Sequence, residues 1–294
     1  MTPQGQREPR ILLGIGFMLL ASSLFPVMNG LVQWLSPRYA SEQIIWARIT
    51  GQLLIMAAIM LPAAGWRIFA TKRPGLQIAR SLCQASSTSF YFFAVVTLSL
   101  SKATAIGFLT PFVVALLAWP LLGERPEARR MAAVAVAFIG VLVVIRPGSA
   151  SFEFATLLVL GNVAAYAMYQ VLTRKVAAYD STDTSVLWSA LAGAVIMSAI
   201  VPFHWVTPQS LADAAAFLAL GAIGAAGHWC VARALGLGPA AVISPFQYWQ
   251  IVGATMAGFI VTGLGPDMPT VIGAAIVVAA GVFLAIVEGR RRRA

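Results

Sequence analysis

Asn162, Tyr166, Tyr169 and Gln170 recur at i, i+4, i+7 and i+8, so as a helix they share one face. They stand inside the apolar run 153–174. An unpartnered polar group at membrane depth is costly, so it turns towards other helices or a water-filled cavity. Three further runs carry such a face: Gln84, Ser87, Thr88 and Tyr91; Ser22, Asn29 and Gln33; Ser244, Gln247 and Tyr248. Amides, hydroxyls and rings bind a solute by hydrogen bonding and stacking. They also serve as glue between helices, and the residues alone leave both uses open.

Aromatic side chains divide by position. Trp34, Trp66 and Trp205 lie near run ends, where indole rings anchor at the interface. Trp229 and Trp249 fall deeper, where packing against lipid and lining a pocket are both open. In a pocket with Tyr91, Tyr166 and Phe246 they offer stacking surfaces to a flat, apolar solute. The candidate substrate-binding residues are Asn29, Gln84, Tyr91, Asn162, Tyr166, Tyr169, His228, Trp229, Ser244, Phe246, Gln247, Tyr248 and Trp249. Pro26, Pro111, Pro120 and Pro245 interrupt helix interiors in this reading and are hinge candidates.

Two ionisable groups lie deep. His228 reads first as a hydrogen-bonded neutral imidazole; Arg48 stands about one and a half turns from a helix end, close enough to snorkel. The carboxylates all fall at run ends or in loops, which removes the usual proton carrier of a coupled transporter. The sequence lacks GxSxG, HExxH and a phosphate-binding glycine-lysine loop, so an enzyme or an ATP-driven pump lacks its customary apparatus. Cys83 and Cys230 are scattered single thiols, and neither a metal nor a cofactor is expected.

The elements holding these residues are ten apolar runs near 11–35, 43–63, 76–99, 103–122, 129–146, 153–174, 184–203, 212–235, 239–263 and 268–287. A helix crosses the roughly 30 Å hydrocarbon core in about 20 residues. With 60% hydrophobic and 10% charged residues, and a mean hydropathy of +0.84, the chain is an all-α polytopic membrane protein. A barrel would need strands of about ten residues with alternating polarity. The first run is too long for a signal-peptide core and reads as the first span.

The net charge of +10 marks topology, not nucleic-acid binding. With the N-terminus inside, one set of loops collects Arg7, Arg10, Arg67, Lys72, Arg73, Arg80, Arg125, Arg129, Arg130, Arg174, Lys175, Arg233 and Arg290 to Arg293, which is 16 of 20 basic residues. Arg38, Lys102 and Arg146 remain outside. Both termini are therefore cytoplasmic.

The second five runs repeat the first five at about 140 residues, an arrangement typical of secondary transporters. Ala132 to Ile145 matches Gly273 to Ile286, with Gly140 opposite Gly281. Leu98-Ser-Leu-Ser-Lys-Ala-Thr-Ala-Ile106 matches Leu235-Gly-Leu-Gly-Pro-Ala-Ala-Val-Ile243; Thr110-Pro111-Phe112 and Ser244-Pro245-Phe246 follow. Trp46 and Gly51 stand at the interval of Trp188 and Gly193. Residues 1–147 and 148–294 form the two repeats, and an odd number of spans in each inverts the second in the membrane.

The five-plus-five layout, Trp119-Pro-Leu-Leu-Gly-Glu124-Arg-Pro126 and the Ala-Leu-rich approach to Pro239 resemble the drug/metabolite transporter superfamily, in particular its ten-helix EamA-type exporters. Thr262-Gly-Leu-Gly-Pro266 departs from that pattern by lacking a glutamate, so Glu124 reads as fixing a cytoplasmic helix end. Ser244-Pro-Phe-Gln-Tyr-Trp-Gln-Ile-Val-Gly253, with aromatic-rich runs three and six, is similar to bacterial exporters of aromatic amino acids. The resemblance implies a multi-pass protein of the bacterial inner membrane. It would export small metabolites, aromatic or other apolar amino acids, by alternating access through a cavity between the repeats. Export of hydrophobic drugs or cations, and a non-selective metabolite channel, remain open. The expected partners are a small-molecule substrate and the lipid bilayer, with no nucleic acid; oligomeric state is open, a monomer included.

Overall fold

A computed structural model describes residues 4–123, 128–148, 153–237 and 243–291. Its helices are α1 (Gln4–Leu35), α2 (Ser41–Ala64), α3 (Pro74–Val95), α4 (Leu100–Gly107), α5 (Thr110–Leu122), α6 (Ala128–Ile145), α7 (Ala155–Val176), α8 (Thr182–Ile200), α9 (Leu211–Leu237), α10 (Gln250–Thr262) and α11 (Met268–Arg291). Short 3₁₀ turns lie at Trp66–Phe69, Val201–His204 and Ser244–Trp249. The all-helical, membrane-spanning architecture read from hydropathy is the observed one. Six segments are long and apolar enough to cross a bilayer, and Met131–Ile145 and Met268–Leu284 are shorter apolar helices. α3 is more polar because its buried face carries Gln77, Arg80, Ser81, Gln84, Ser87 and Thr88, groups that a lipid-facing stripe would not accept.

Packing reveals the repeat. α1 lies along α9, and in mirrored fashion α7 lies along α3; α2 on α9 is matched by α8 on α3, and α1 on α10 by α7 on α5. The remaining pairs, α2 with α8 and α6 with α11, are their own mirror images, so the pseudo-two-fold axis passes between them. The tryptophans obey it as well. Trp46 Nε1 donates to Ser198 Oγ at 2.9 Å, and Trp188 Nε1 to the Phe69 carbonyl at 3.0 Å. Where α2 crosses α9, a Cβ on Gly221 would stand 2.6 Å from the Gly51 Cα, so two backbones meet there. At the mirrored crossing Gly193 meets the Ala85 side chain, 3.0 Å from a Cβ built on it.

Spans four and nine, expected as single helices over 103–122 and 239–263, are each broken. α4 ends at Gly107; after two intervening residues α5 begins with Pro111 in its first turn, and Pro245 takes the same place in the 3₁₀ turn before α10. These two prolines therefore start helical segments and do not interrupt helix interiors. A first-turn proline lacks only an N–H that would have no intrahelical acceptor. Pro120 lies within α5 and Pro26 within α1, as expected. Both broken spans end in a left-handed glycine, Gly123 (φ +74°) and Gly263 (φ +71°), whose backbone N–H closes the last turn. Glu124 lies outside the described residues.

The two breaks share part of their packing. The outer half of span four, α4, lies against α10 and α11, and Leu100 to Ile106 are all buried. α4 also touches α7 and α6, and the 3₁₀ turn of span nine makes the mirrored contacts, on α1 and α11. Phe108 and Tyr248 touch edge to face at 4.9 Å and join the two spans at their breaks. Among the described residues, ion pairs join the repeats outside: Arg38 to Asp213 at 3.0 Å, Lys102 to Glu153 at 2.9 Å, and Arg146 to Asp267.

Candidate functional site

The polar faces of α2, α3, α7 and α9 converge on Arg48. It is the eighth residue of α2, about 10 Å from the outer end by helical rise. Its guanidinium does not snorkel outward but turns into the bundle, leaving the residue 5% exposed. Nη1 donates to Thr88 Oγ1 at 2.8 Å, and Nη2 meets His228 Nε2 at 3.0 Å. A guanidinium has no acceptor, so this contact needs His228 Nε2 unprotonated, with the ring hydrogen on Nδ1. The neutral histidine of the sequence reading fits here, ordered also by the Phe25 ring at 5.4 Å.

Tyr166 and Tyr169, neighbours on α7, stack with centroids 5.6 Å apart and planes 14° from parallel, within electrostatic range of Arg48. Gln84, Gln52 and Ser189 line, together with Arg48, a cavity of about 10 Å³. That volume is room for one water at most. Asn162 Nδ2 donates to the Ser87 carbonyl and to Ser87 Oγ at 3.0 and 2.8 Å, tying α7 to α3. Asn29 Nδ2 donates to Tyr91 OH at 3.3 Å, and that hydroxyl meets Thr104 Oγ1 at 3.4 Å, which links α1, α3 and α4.

The span-nine candidates lie apart from this centre. Phe246 packs with Met18 and Ile243, Tyr248 abuts Phe108 at the break, and Gln247 is half-buried in the same 3₁₀ turn. The side chains of Ser244 and Pro245 lie outside the described residues. Trp249 is 49% exposed with its Nε1 on Ser23 Oγ at 3.2 Å, and Trp229 is 44% exposed against Phe17. Both indoles flank α1 and neither reaches Arg48.

One basic residue is misplaced by the loop reading. Arg80 lies in the second turn of α3 and is 1% exposed. It donates to the Ser185 carbonyl, Gln77 Oε1 (3.1 Å), Thr173 Oγ1 (3.2 Å) and Tyr169 OH (3.4 Å), and its guanidinium carbon rides 5.2 Å from the Tyr169 ring centroid. Asp180 closes the inner loops nearby, accepting from Thr71 Oγ1 at 2.5 Å, the Lys72 N–H at 3.0 Å and Gln77 Nε2 at 2.9 Å. Burial would raise the Asp180 carboxyl, but these donors and the Lys72 charge outweigh it and hold the group below the ordinary carboxylate range. Spacing carried the missed signal: Arg80, Gln84 and Thr88 recur every fourth residue on α3, and Arg48 and Gln52 do so on α2.

An all-helical bundle of two mirrored repeats with a polar centre between them is that of a multi-pass membrane transporter. The sequence profile of the EamA-like transporter family matches it twice, over residues 9–146 and 153–287, and the chain belongs to that family. It is a transporter of the bacterial inner membrane, not an enzyme. Similar proteins include an S-adenosylmethionine uptake transporter of Rickettsia prowazekii, 24% identical over 90% of this chain and 89% of the other. A riboflavin transporter of Rhizobium johnstonii is 24% identical over 97% and 95%, and a pseudopaline exporter of Pseudomonas aeruginosa 26% identical over 92% and 95%. None of these three is named as an aromatic amino acid exporter. A crystal structure of 19% identity superposes with a TM-score of 0.64, covering 98% of this chain and 100% of the other, a likeness of fold.

Proposed function

We propose that this carrier exports small metabolites with a flat or apolar body, aromatic or other apolar amino acids in the first place, by alternating access between its two repeats. The polar centre enclosed between the two mirrored repeats carries this reading: rocking of one inverted repeat against the other would open such a centre to either side in turn. The stacked Tyr166 and Tyr169 beside a polar centre support a ring-bearing solute. The direction, export, rests on the resemblance of the span-nine segment to exporters.

Counterflow in proteoliposomes tests it. Labelled phenylalanine should enter faster when unlabelled phenylalanine or tryptophan waits inside, because a carrier returns faster loaded than empty. Absence of that acceleration, with linear unsaturable flux, would identify a pore instead. S-adenosylmethionine, riboflavin and hydrophobic cations belong in the same competition series, since the named relatives recommend the first two. A solute from that group that exchanges while no amino acid competes would replace the aromatic assignment.

A further inference from the structure

A permanent cation inside a membrane bundle is ordinarily matched by a carboxylate or by acceptors for all its donors. Lys102, 4% exposed, has Glu153; Arg80 has a carbonyl, an amide oxygen and two hydroxyls. Arg48 differs from both. Its two contacts are neutral, its Nε is buried with no acceptor, and among the described residues no carboxylate lies within ion-pair distance. Across the same small cavity, Gln84 is 8% exposed and its Oε1 is a buried acceptor with no donor. An unused donor and an unused acceptor thus belong to two residues that line one space, too small for a solute in this closed packing.

We infer that Arg48 and Gln84 form the headgroup site for a zwitterionic substrate. The solute's carboxylate is held by the Arg48 guanidinium, whose planar fork matches two carboxylate oxygens. Its ammonium donates to Gln84 Oε1. The inference rests on the carrier reading and deepens it, because the stacked Tyr166 and Tyr169 lie beside the headgroup where an amino acid's side chain would extend. Displacing the Thr88 and His228 contacts frees Nη1 and Nη2 without leaving a carboxylate of the protein unpaired. Entry therefore replaces two bonds from the guanidinium to neutral acceptors by bonds to an anionic one, which are the stronger kind.

The test compares phenylalanine with two truncated analogues in counterflow: phenethylamine, which lacks the carboxylate, and 3-phenylpropionate, which lacks the ammonium. Wild-type protein should bind phenethylamine at least about tenfold more weakly than phenylalanine, the scale of a charge-assisted hydrogen bond. Arg48→Gln should raise the half-saturation of phenylalanine and 3-phenylpropionate alike while leaving phenethylamine unchanged. Gln84→Leu should weaken phenylalanine but not 3-phenylpropionate. Arg48→Lys, which keeps charge without the fork, should fall between wild type and Arg48→Gln. Should Arg48→Gln not fold, the wild-type ranking of the three solutes decides. Equal affinity for phenylalanine and phenethylamine, or a ratio unmoved by Arg48→Gln, would overturn the headgroup site and leave the aromatic reading standing. Exchange of leucine or glutamine with the same Arg48 dependence, without phenylalanine, would keep the headgroup site and remove the aromatic body. Exchange of no amino acid at all would overturn the site.

Discussion

The outer half of span four and the matching stretch of span nine occupy mirrored positions in the repeat, yet their sequences offer their neighbours different chemistry. In the first, Ser99 caps α4 by accepting from the Lys102 N–H, Lys102 reaches Glu153, and Thr104 meets Tyr91. The matching sequence places Gly236, Pro239 and Ala241 opposite these three. Glycine, proline and alanine offer no side-chain donor or acceptor. Polar latches written into the first copy at these three positions hold the outer end, while Asp180 and Arg80 tie the inner end, and a solute must supply the differential free energy that releases one set.

The largest test of the mirror concerns the helix crossings. At Gly221 any side chain would meet the Gly51 backbone at 2.6–2.8 Å, and backbone cannot rotate away; at Gly193 the obstacle is the Ala85 methyl at 3.0 Å. Gly221→Val should therefore prevent recovery of monodisperse protein, while Gly193→Ala should cost about 1–3 kcal/mol as ordinary overpacking and leave it purifiable with a lowered melting temperature. Size-exclusion profiles in detergent read both. Equal tolerance at the two sites would mean that the α2–α9 crossing is not a backbone contact.

The outer latches come next. Asp213, 1% exposed, holds Arg38 at 3.0 Å and accepts from Tyr39 OH at 2.9 Å; Asp267, nearly half exposed, holds Arg146 and accepts from the Thr270 N–H at 3.2 Å. Asp213→Asn should shift the equilibrium towards outer opening by about 1.5–3 kcal/mol, the range for hydrogen bonds to charged groups, and Asp267→Asn by about 0.2–1 kcal/mol. A cysteine at Ala103 in a Cys83→Ser, Cys230→Ser background, labelled by an impermeant maleimide from outside, measures the opening. Burial would raise the Asp267 carboxyl, but hydrogen bonds from Thr270 and then the Arg146 charge outweigh it and lower it. A lowered carboxylate stabilises the closed form above its ordinary range and loses that contribution only as pH falls through the lowered value. Because the thiolate is the reacting form, labelling rates are normalised to a fully exposed reference cysteine at the same pH; the normalised rates should accordingly match at pH 8 and pH 5, and a rise by pH 5 would show that the Asp267 latch is not ionised as described.

Helix number, span ends and repeat were legible because hydropathy and glycine–proline spacing act locally. Runs such as 43–63 and 153–174 reappear as Ser41–Ala64 and Ala155–Val176. The breaks in spans four and nine were legible only as prolines, since a proline alone does not tell a kink from a helix start; the preceding turn decides. Arg48 and Arg80 were seen but given surface roles, because sequence position fixes the depth of a Cα and not the direction of a long side chain. Gln84, Tyr166 and Tyr169 were read from facial spacing and His228 from its depth, and all four gather near Arg48, whereas Trp229 and Trp249 share the depth but not the face.

That last contrast gives the finest test. Tyr166 is stacked on Tyr169 inside the bundle, while the Trp249 ring is half exposed and held by one hydrogen bond to Ser23. Both rings were candidates for the same aromatic wall, but only the first lies beside the cation that would hold a headgroup. Tyr166→Ala should raise half-saturation for phenylalanine and tryptophan by up to about tenfold, since a ring pair contributes roughly 0.5–1.5 kcal/mol beyond its area and 1.4 kcal/mol is tenfold. Alanine, which has no ring to lose a partner, should change little. Trp249→Ala should shift all three solutes by less than about twofold if its ring faces lipid, and should reproduce the Tyr166→Ala pattern if opening swings span nine inward. Measured at matched protein levels, equal losses for ringed and ringless solutes in Tyr166→Ala would return the α7 stack to helix packing and take the aromatic body out of the recognition site.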